Sequence, residues 1–336
     1  MTTARRPTIR DVARLAGVSH QTVSRHLRGD PTVSPMLSSH IDVAVAQLDY
    51  RPSLVARAMR NRSTGRLALV LPTGNATSSV QLLSGVSDAA QQEGFAVEVV
   101  SLAAAELHGG RVADLADSGL YEAVLALTDL PEAHRRRTDA VPVISAPVYD
   151  EQMRGIGPLS EATRMSELVT RLAAQGHRDL LHIMAERGHP ASTRRLEAFE
   201  RTTRDLSLRS AGIVDGRWDA EIARRAVRDL PADSPVTAVL AGDDTLAAGA
   251  VRGATERGWR VPEDLSVTGW DTQPLSAAMI PSLTSVAIDH HRLGAELLQE
   301  LLQVMGGGAP AMDRPSITRI LWRESTGPAP DRARHP

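Results

Sequence analysis

The chain has 336 residues, enough for one small and one large domain or for three compact units. It holds no cysteine, which excludes disulfides and cysteine-bound metal, and no apolar run of about 18 residues that would predict a membrane span. The net charge is −2, yet residues 1–66 hold 11 Arg against 4 Asp, which puts +7 on the head and −9 on the rest. A basic head on an acidic body is the charge pattern of a nucleic-acid-binding module joined to something else. Residues 1–7 lack the apolar stretch of a signal peptide, so a cytoplasmic location is expected.

Thr8 predicts a helix N-cap with Asp11 as its reciprocal partner, then Val12, Leu15 and Ala16 as an apolar stripe and Gly17 as the turn. Ser19 caps a second helix over 19–27, in which Val23 and Leu27 face inward. His20, Gln21 and Arg25 are then left outward, where base edges and phosphates are met. Ser34-Pro35 opens a third helix with Leu37, Ile41, Val45 and Leu48 on its buried face. Residues 1–50 therefore read as an all-α helix-turn-helix head; a three-helix subdomain that never touches DNA has the same pattern. Residues 51–64 read as a hinge helix and linker, with Ser53 capping a basic segment too short to be a stable helix alone.

The segments Ile9-Arg10-Asp11-Val12-Ala13, Gly17-Val18-Ser19, Gln21-Thr22-Val23-Ser24-Arg25 and Leu48-Asp49-Tyr50-Arg51-Pro52 resemble the lactose-repressor (LacI/GalR) family in order and spacing. The likeness runs on to about residue 325. It implies a sequence-specific transcription regulator, a repressor, that binds a near-palindromic double-stranded operator as a homodimer. It further implies DNA contacts by Thr8, His20, Gln21, Thr22, Ser24, Arg25, Ser34, Ala56 and Met59. Met59 stands where the family carries a Leu wedge that enters the minor groove.

From residue 65 onward, short β-type runs alternate with helical segments. Strands are predicted at 67–71, 96–100, 123–127, 141–145, 180–184, 236–241, 265–268 and 283–287, with helices at 80–93, 161–174, 192–206, 243–257 and 291–305. Such alternation predicts parallel, doubly wound sheets, here two α/β lobes over 65–326 with a cleft between them, resembling periplasmic sugar-binding proteins. The family resemblance implies chain crossings between lobes near 160, 288 and 320. A disordered tail is expected over 327–336. The tail shows no leucine heptads, so a dimer is expected and not a tetramer.

In open α/β sheets ligands bind at the carboxyl ends of strands. Asp243, Trp270-Asp271, Arg194-Arg195 and Trp218 all fall there. Carboxylates accept hydroxyls, a guanidinium donates, and an indole face packs on a pyranose. Each has a plainer role available: Asp243 as a helix cap, Asp271 as a turn residue, Trp218 as packing, Arg195 as a solvated side chain. The resemblance implies effector contacts for Arg195, Trp218, Asp243 and Asp271, the effector being a mono- or disaccharide. Against it, Asp243 replaces an Asn of the family's type member, Ile288 a Gln that reaches the ligand, and Ala198 a usual Gly. A nucleobase or a partner protein remains open as the signal.

No catalytic residues, cofactor or metal are expected, and the chain is not expected to be an enzyme. It lacks a Gly-x-Gly-x-x-Gly after the first strand, a Walker loop and a Gly-x-Ser-x-Gly. His290-His291 reads as a solvated pair without metal-site spacing, and His177 as part of a turn into a strand. A solute-binding or enzymatic α/β protein with an incidental basic head is the remaining alternative.

Overall fold

The structure, a computed structural model, describes residues 7–27, 30–50, 63–74, 79–108, 110–131, 141–308 and 316–331. It divides into two compact units, Met1–Gly65 and Arg66–Pro336. The expected hinge segment 51–62, with Ala56 and Met59, lies outside the described residues. Among the described residues, no helix is long and apolar enough to cross a membrane.

Among its described residues the first unit has three helices, α1 (Ile9–Ala16), α2 (His20–His26) and α3 (Pro35–Gln47), around a core of Val12, Ala13, Val23, Ile41 and Ala44. Their ends form as the sequence dictates. Asp11 accepts from the Thr8 N–H at 2.9 Å and from its hydroxyl at 2.6 Å. Gly17 takes φ +67° at the turn, and Ser19 accepts from the Thr22 N–H at 3.1 Å. Two apolar assignments fail. Leu15 is 49% exposed and Leu27 37% exposed. The inward face of α1 is instead Ile9, Val12, Ala13 and Ala16, a strict i, i+3, i+4, i+7 stripe from which Leu15 is rotated away. Leu27 follows the last helical residue, where it no longer shares the inward face of Val23.

The described residues of the second unit form two sheets. The first lobe has β1 (Arg66–Pro72), β2 (Ala96–Leu102), β3 (Ala123–Ala126) and β4 (Val143–Ser145), all parallel in the order β2-β1-β3-β4. Helices α4 (Ser79–Gln92), α5 (Ala104–His108) and α6 (Arg111–Asp117) belong with these strands. The second lobe runs α7 (Thr163–Ala174), β5 (Asp179–Met184), α8 (Pro190–Asp205), β6 (Arg209–Asp215), α9 (Ala220–Arg228), β7 (Ala238–Ala241), α10 (Asp244–Glu256), β8 (Ser266–Trp270) and β9 (Thr284–Ile288). After α11 (His290–Met305), the antiparallel β10 (Thr318–Leu321) completes the order β10-β9-β8-β7-β5-β6.

All eight predicted strands and five predicted helices are present with shifts of a few residues at their ends. β6 and β10 were not anticipated. Both are edge strands of the second sheet, and β6 carries Arg, Ser and Gly on a largely exposed face, so neither shows an apolar run.

Three crossings join the lobes and lie side by side. The Asp289 N–H donates to the Ile317 carbonyl at 2.8 Å, the Thr318 hydroxyl to Glu161 at 2.6 Å, and Arg164 Nη2 to the Thr318 carbonyl at 2.9 Å. α11 returns to the first lobe and packs on α4 at glycine contacts. A Cβ on Gly85 would sit 1.9 Å from the His291 carbonyl oxygen, and one on Gly294 2.1 Å from that of Leu82. No larger side chain permits this approach, which fixes the start of α11 beside the crossings.

The expected disordered tail is corrected in part. Gly327 donates to Ser266 at 3.1 Å and accepts from the His177 ring at 3.0 Å, while the Ala329 N–H donates to Gln175 at 2.9 Å. Buried His177 thus anchors the segment after β10 to the second lobe.

Candidate DNA-reading surface and effector cleft

In the first unit, His20, Gln21 and Arg25 are exposed on α2, whose inward face is held by Val23. Thr8 and Ser34 sit at helix starts; Ser34 is exposed and accepts from the Leu37 N–H at 3.4 Å. Thr22 and Ser24 are half-buried, and the Thr22 hydroxyl pairs with that of Ser19 at 2.9 Å. The N-terminal turn of α2 therefore presents polar side chains outward from a rigid three-helix core, the geometry a recognition helix needs.

In the second unit, a cleft of about 570 Å³ lies between the lobes, and it brings together all four residues singled out for the effector: Arg195, Trp218, Asp243 and Asp271. Each comes from a connection after a different strand of the second sheet, at the carboxyl ends of β5, β6, β7 and β8. The first lobe contributes the start of α4 and the loop after β4, including Tyr149, Gln152, Met153 and Arg154. Ile288 and His290 close it at the crossing.

Arg195 is a second-turn residue of α8, which begins at Pro190. It is 4% exposed, so the solvated role is excluded. Nη1 donates to the Gly242 carbonyl at 2.8 Å, Nη2 to that of Leu159 at 3.4 Å, and the guanidinium lies 4.0 Å over the Trp270 ring. Burial lowers its pKa, and Asp271 and Asp243 pull it back up.

Asp243 is a helix cap that also faces the cleft; it accepts from the Leu246 N–H at 2.7 Å at the start of α10. Burial, reinforced by Asp271 and Asp244, pushes its carboxyl up to about 6. The adjacent Asp244 is buried and structural. It accepts from the Gln273 N–H at 2.8 Å, the Ser285 hydroxyl at 2.6 Å and the Ser276 hydroxyl. Asp271 has no hydrogen bond to its carboxylate among the described residues; burial raises its pKa, against the opposing pull of Arg195.

Left-handed backbone clusters at the same place. Arg217 and Trp218 have φ +49° and +57°, and Asp271 and Thr272 +85° and +46°. Such conformations in non-glycine residues persist only where the surroundings enforce them. Here Ala185 accepts from the Trp218 N–H at 2.9 Å, Val286 from that of Asp271 at 2.9 Å, and the Ser285 hydroxyl from that of Thr272 at 3.1 Å. The Trp218 indole meets the His189 ring edge-on at 5.8 Å and donates to Glu186 at 3.4 Å.

Sequence reasoning missed the first-lobe wall. Arg154 reaches across the cleft to Glu186 and is braced by Asp150 at 2.7 Å. The expected solvated pair is also corrected: His290 is 4% exposed and lines the cleft, while His291 is exposed and meets Asp88 at 3.0 Å. The position of His290 just past β9 was the available signal. Among the described residues no group of three or more His, Asp or Glu is placed to hold a metal.

A helix-turn-helix unit joined to a two-lobed α/β body with an interlobe cleft defines the class: a DNA-binding regulator built on a periplasmic-binding-protein-like body. Residues 8–53 match the bacterial regulatory proteins of the lacI family, and residues 169–326 match the periplasmic binding protein-like domain. The chain is 27% identical to catabolite control protein A of Priestia megaterium over 95% of this chain and 99% of that protein. It is 29% identical to the ribose operon repressor of Halalkalibacterium halodurans, over 95% and 97%. A lac repressor dimer crystallised with operator and the anti-inducer ONPF has the same fold, at TM-score 0.75 and 24% identity over 96% of this chain and 99% of that one. The chain belongs to the lactose-repressor family. It is a DNA-binding transcriptional repressor and not an enzyme.

Proposed function

We propose that this repressor works as a homodimer on a near-palindromic operator, and that a mono- or disaccharide in the interlobe cleft controls its operator affinity. The observation that carries the effector class is the convergence of Asp243, Asp271, Arg195 and the Trp218 indole on one cleft. Carboxylates and a pinned guanidinium match hydroxyls, and an indole matches the apolar face of a sugar ring. Among its relatives is a repressor of a sugar operon, the ribose operon repressor, which is in keeping with a sugar signal. On the DNA side, His20, Gln21 and Arg25 read bases in the major groove, and Thr8, Thr22, Ser24 and Ser34 position the head on the backbone. Ala56 and Met59 are assigned to the minor groove at the operator centre.

The unit boundary after Gly65 supports a separate reading head, followed by a body that carries the effector cleft and the dimer contacts. A ligand alters operator affinity only by preferring one arrangement of the lobes, and a cleft lined from both lobes meets that requirement. The test is a gel shift on the protein's own promoter region with a panel of sugars and purine bases. Retardation that one sugar releases or tightens supports the proposal. A response to bases alone overturns the carbohydrate assignment, and no saturable retardation overturns the operator assignment.

A further inference from the structure

Among the described residues, three side chains that line the cleft have buried polar atoms without a hydrogen-bond partner: Arg195 at Nε, Thr272 at its hydroxyl and His290 at both ring nitrogens. Arg195 and Thr272 belong to the second lobe. His290 is the first residue of α11, which packs on α4 in the first lobe. It is 4% exposed. The carboxylate of its neighbour Asp289 accepts from the Arg292 N–H at 2.9 Å and makes no hydrogen bond to either ring nitrogen.

A buried imidazole with neither nitrogen paired is costly, and proteins seldom keep one without a use for it. Burial drops the pKa of this ring to about 4, so it is neutral near pH 7, with one nitrogen donating and the other accepting. A hydroxyl both donates and accepts, so it can serve either ring nitrogen. A carboxylate uses only the donor and an ammonium only the acceptor.

We propose that His290 is the first lobe's hydrogen-bonding anchor for the effector, holding a ligand hydroxyl and so tying the start of α11 to the Asp243 and Asp271 side of the cleft. This rests on the reading of the cleft as a carbohydrate site. His290 follows the Ile288–Asp289 crossing directly, so a ligand held by both walls favours one spacing of the lobes over others. That preference is what links occupancy to conformation.

The test compares the full-length protein with His290→Phe and His290→Gln by thermal shift and calorimetry. The probes are D-ribose, D-glucose, D-galactose, maltose, lactose and cellobiose, with adenine, guanine and hypoxanthine in parallel. At least one sugar is expected to bind the unaltered protein, about ten- to a hundred-fold more weakly to His290→Phe and with a smaller loss to His290→Gln. The ligand-free melting temperature of His290→Phe is expected to equal or exceed that of the unaltered protein, because two unpaired buried atoms are removed. Sugar affinity unchanged in His290→Phe overturns the anchor and leaves the carbohydrate reading standing. A lowered ligand-free melting temperature in both variants, with equal losses of affinity, makes His290 a packing residue and also overturns the anchor. Binding of bases alone, or of no probe, overturns the carbohydrate reading and the anchor with it.

Discussion

The Arg195 guanidinium carbon lies 4.0 Å above the ring of Trp270, and this stacking settles which way the buried cation of the cleft faces. Trp270 is fully buried in the core at the end of β8, so the plate beneath Arg195 cannot shift. With Nη1 and Nη2 on main-chain carbonyls, only Nε is left unpaired. Removing the side chain strands two carbonyls and leaves Asp243 and Asp271 without their cation. Arg195→Ala is expected to lower the unfolding free energy by about 2–4 kcal/mol in urea titrations and to abolish effector binding. Arg195→Lys keeps the charge but loses the planar stack, and is expected to recover stability only in part.

Asp243 makes stability depend on pH with an unusual sign. Its carboxyl titrates at about 6 in the folded chain, against about 4 when unfolded. Between those values the folded state holds a proton that the unfolded chain has lost. Stability from this group is therefore highest below pH 4, falls as pH rises toward 6, and stays reduced by roughly 3 kcal/mol above that. Asp243→Asn keeps a good N-cap and removes the ionisation. The variant is expected to match the unaltered protein at pH 4 and to exceed it progressively up to pH 7 in denaturant unfolding. A stability difference independent of pH would contradict this account.

The Arg154–Glu186 ion pair joins the two lobes across the cleft and is about one-third exposed on each side. Solvent screening limits such a pair to less than about 1 kcal/mol. Glu186→Gln is therefore expected to leave the melting temperature nearly unchanged. It should still open the cleft, seen as a larger radius of gyration in X-ray scattering and an effector affinity weakened about two- to fivefold.

Arg25 is exposed on α2, while the buried Val23 beside it holds the helix to its core. Arg25→Ala is expected to cost about 1–3 kcal/mol of discrimination at a single operator base pair, with the fold of the head intact by circular dichroism. Equal weakening on every sequence would make Arg25 a phosphate contact.

The head was legible because its signals are local. Thr8, Gly17, Ser19 and Ser34 act on the backbone within three or four residues, and each forms the cap or turn its neighbours dictate. Leu15 and Leu27 escaped this reasoning because apolar identity says nothing about which face a third helix will cover. In the body, buried strands announced themselves as apolar runs, whereas the edge strands β6 and β10 are specified by their neighbours' hydrogen bonds. The four cleft residues of the second lobe were legible because parallel strands deliver their carboxyl ends to one side.

By itself, then, the sequence determined the two-unit plan, the helix caps and the strand-end residues, since charge segregation, capping and periodicity depend on neighbours along the chain. Only the tertiary structure decided that Asp243 faces the cleft while Asp244 is consumed inside, and that His290 is buried while His291 is not. It also decided that Arg154 meets Glu186 across the lobes. Adjacent identical residues look alike in sequence; they part company when packing of distant segments assigns one to a cavity and the other to a hydrogen-bond network or to solvent.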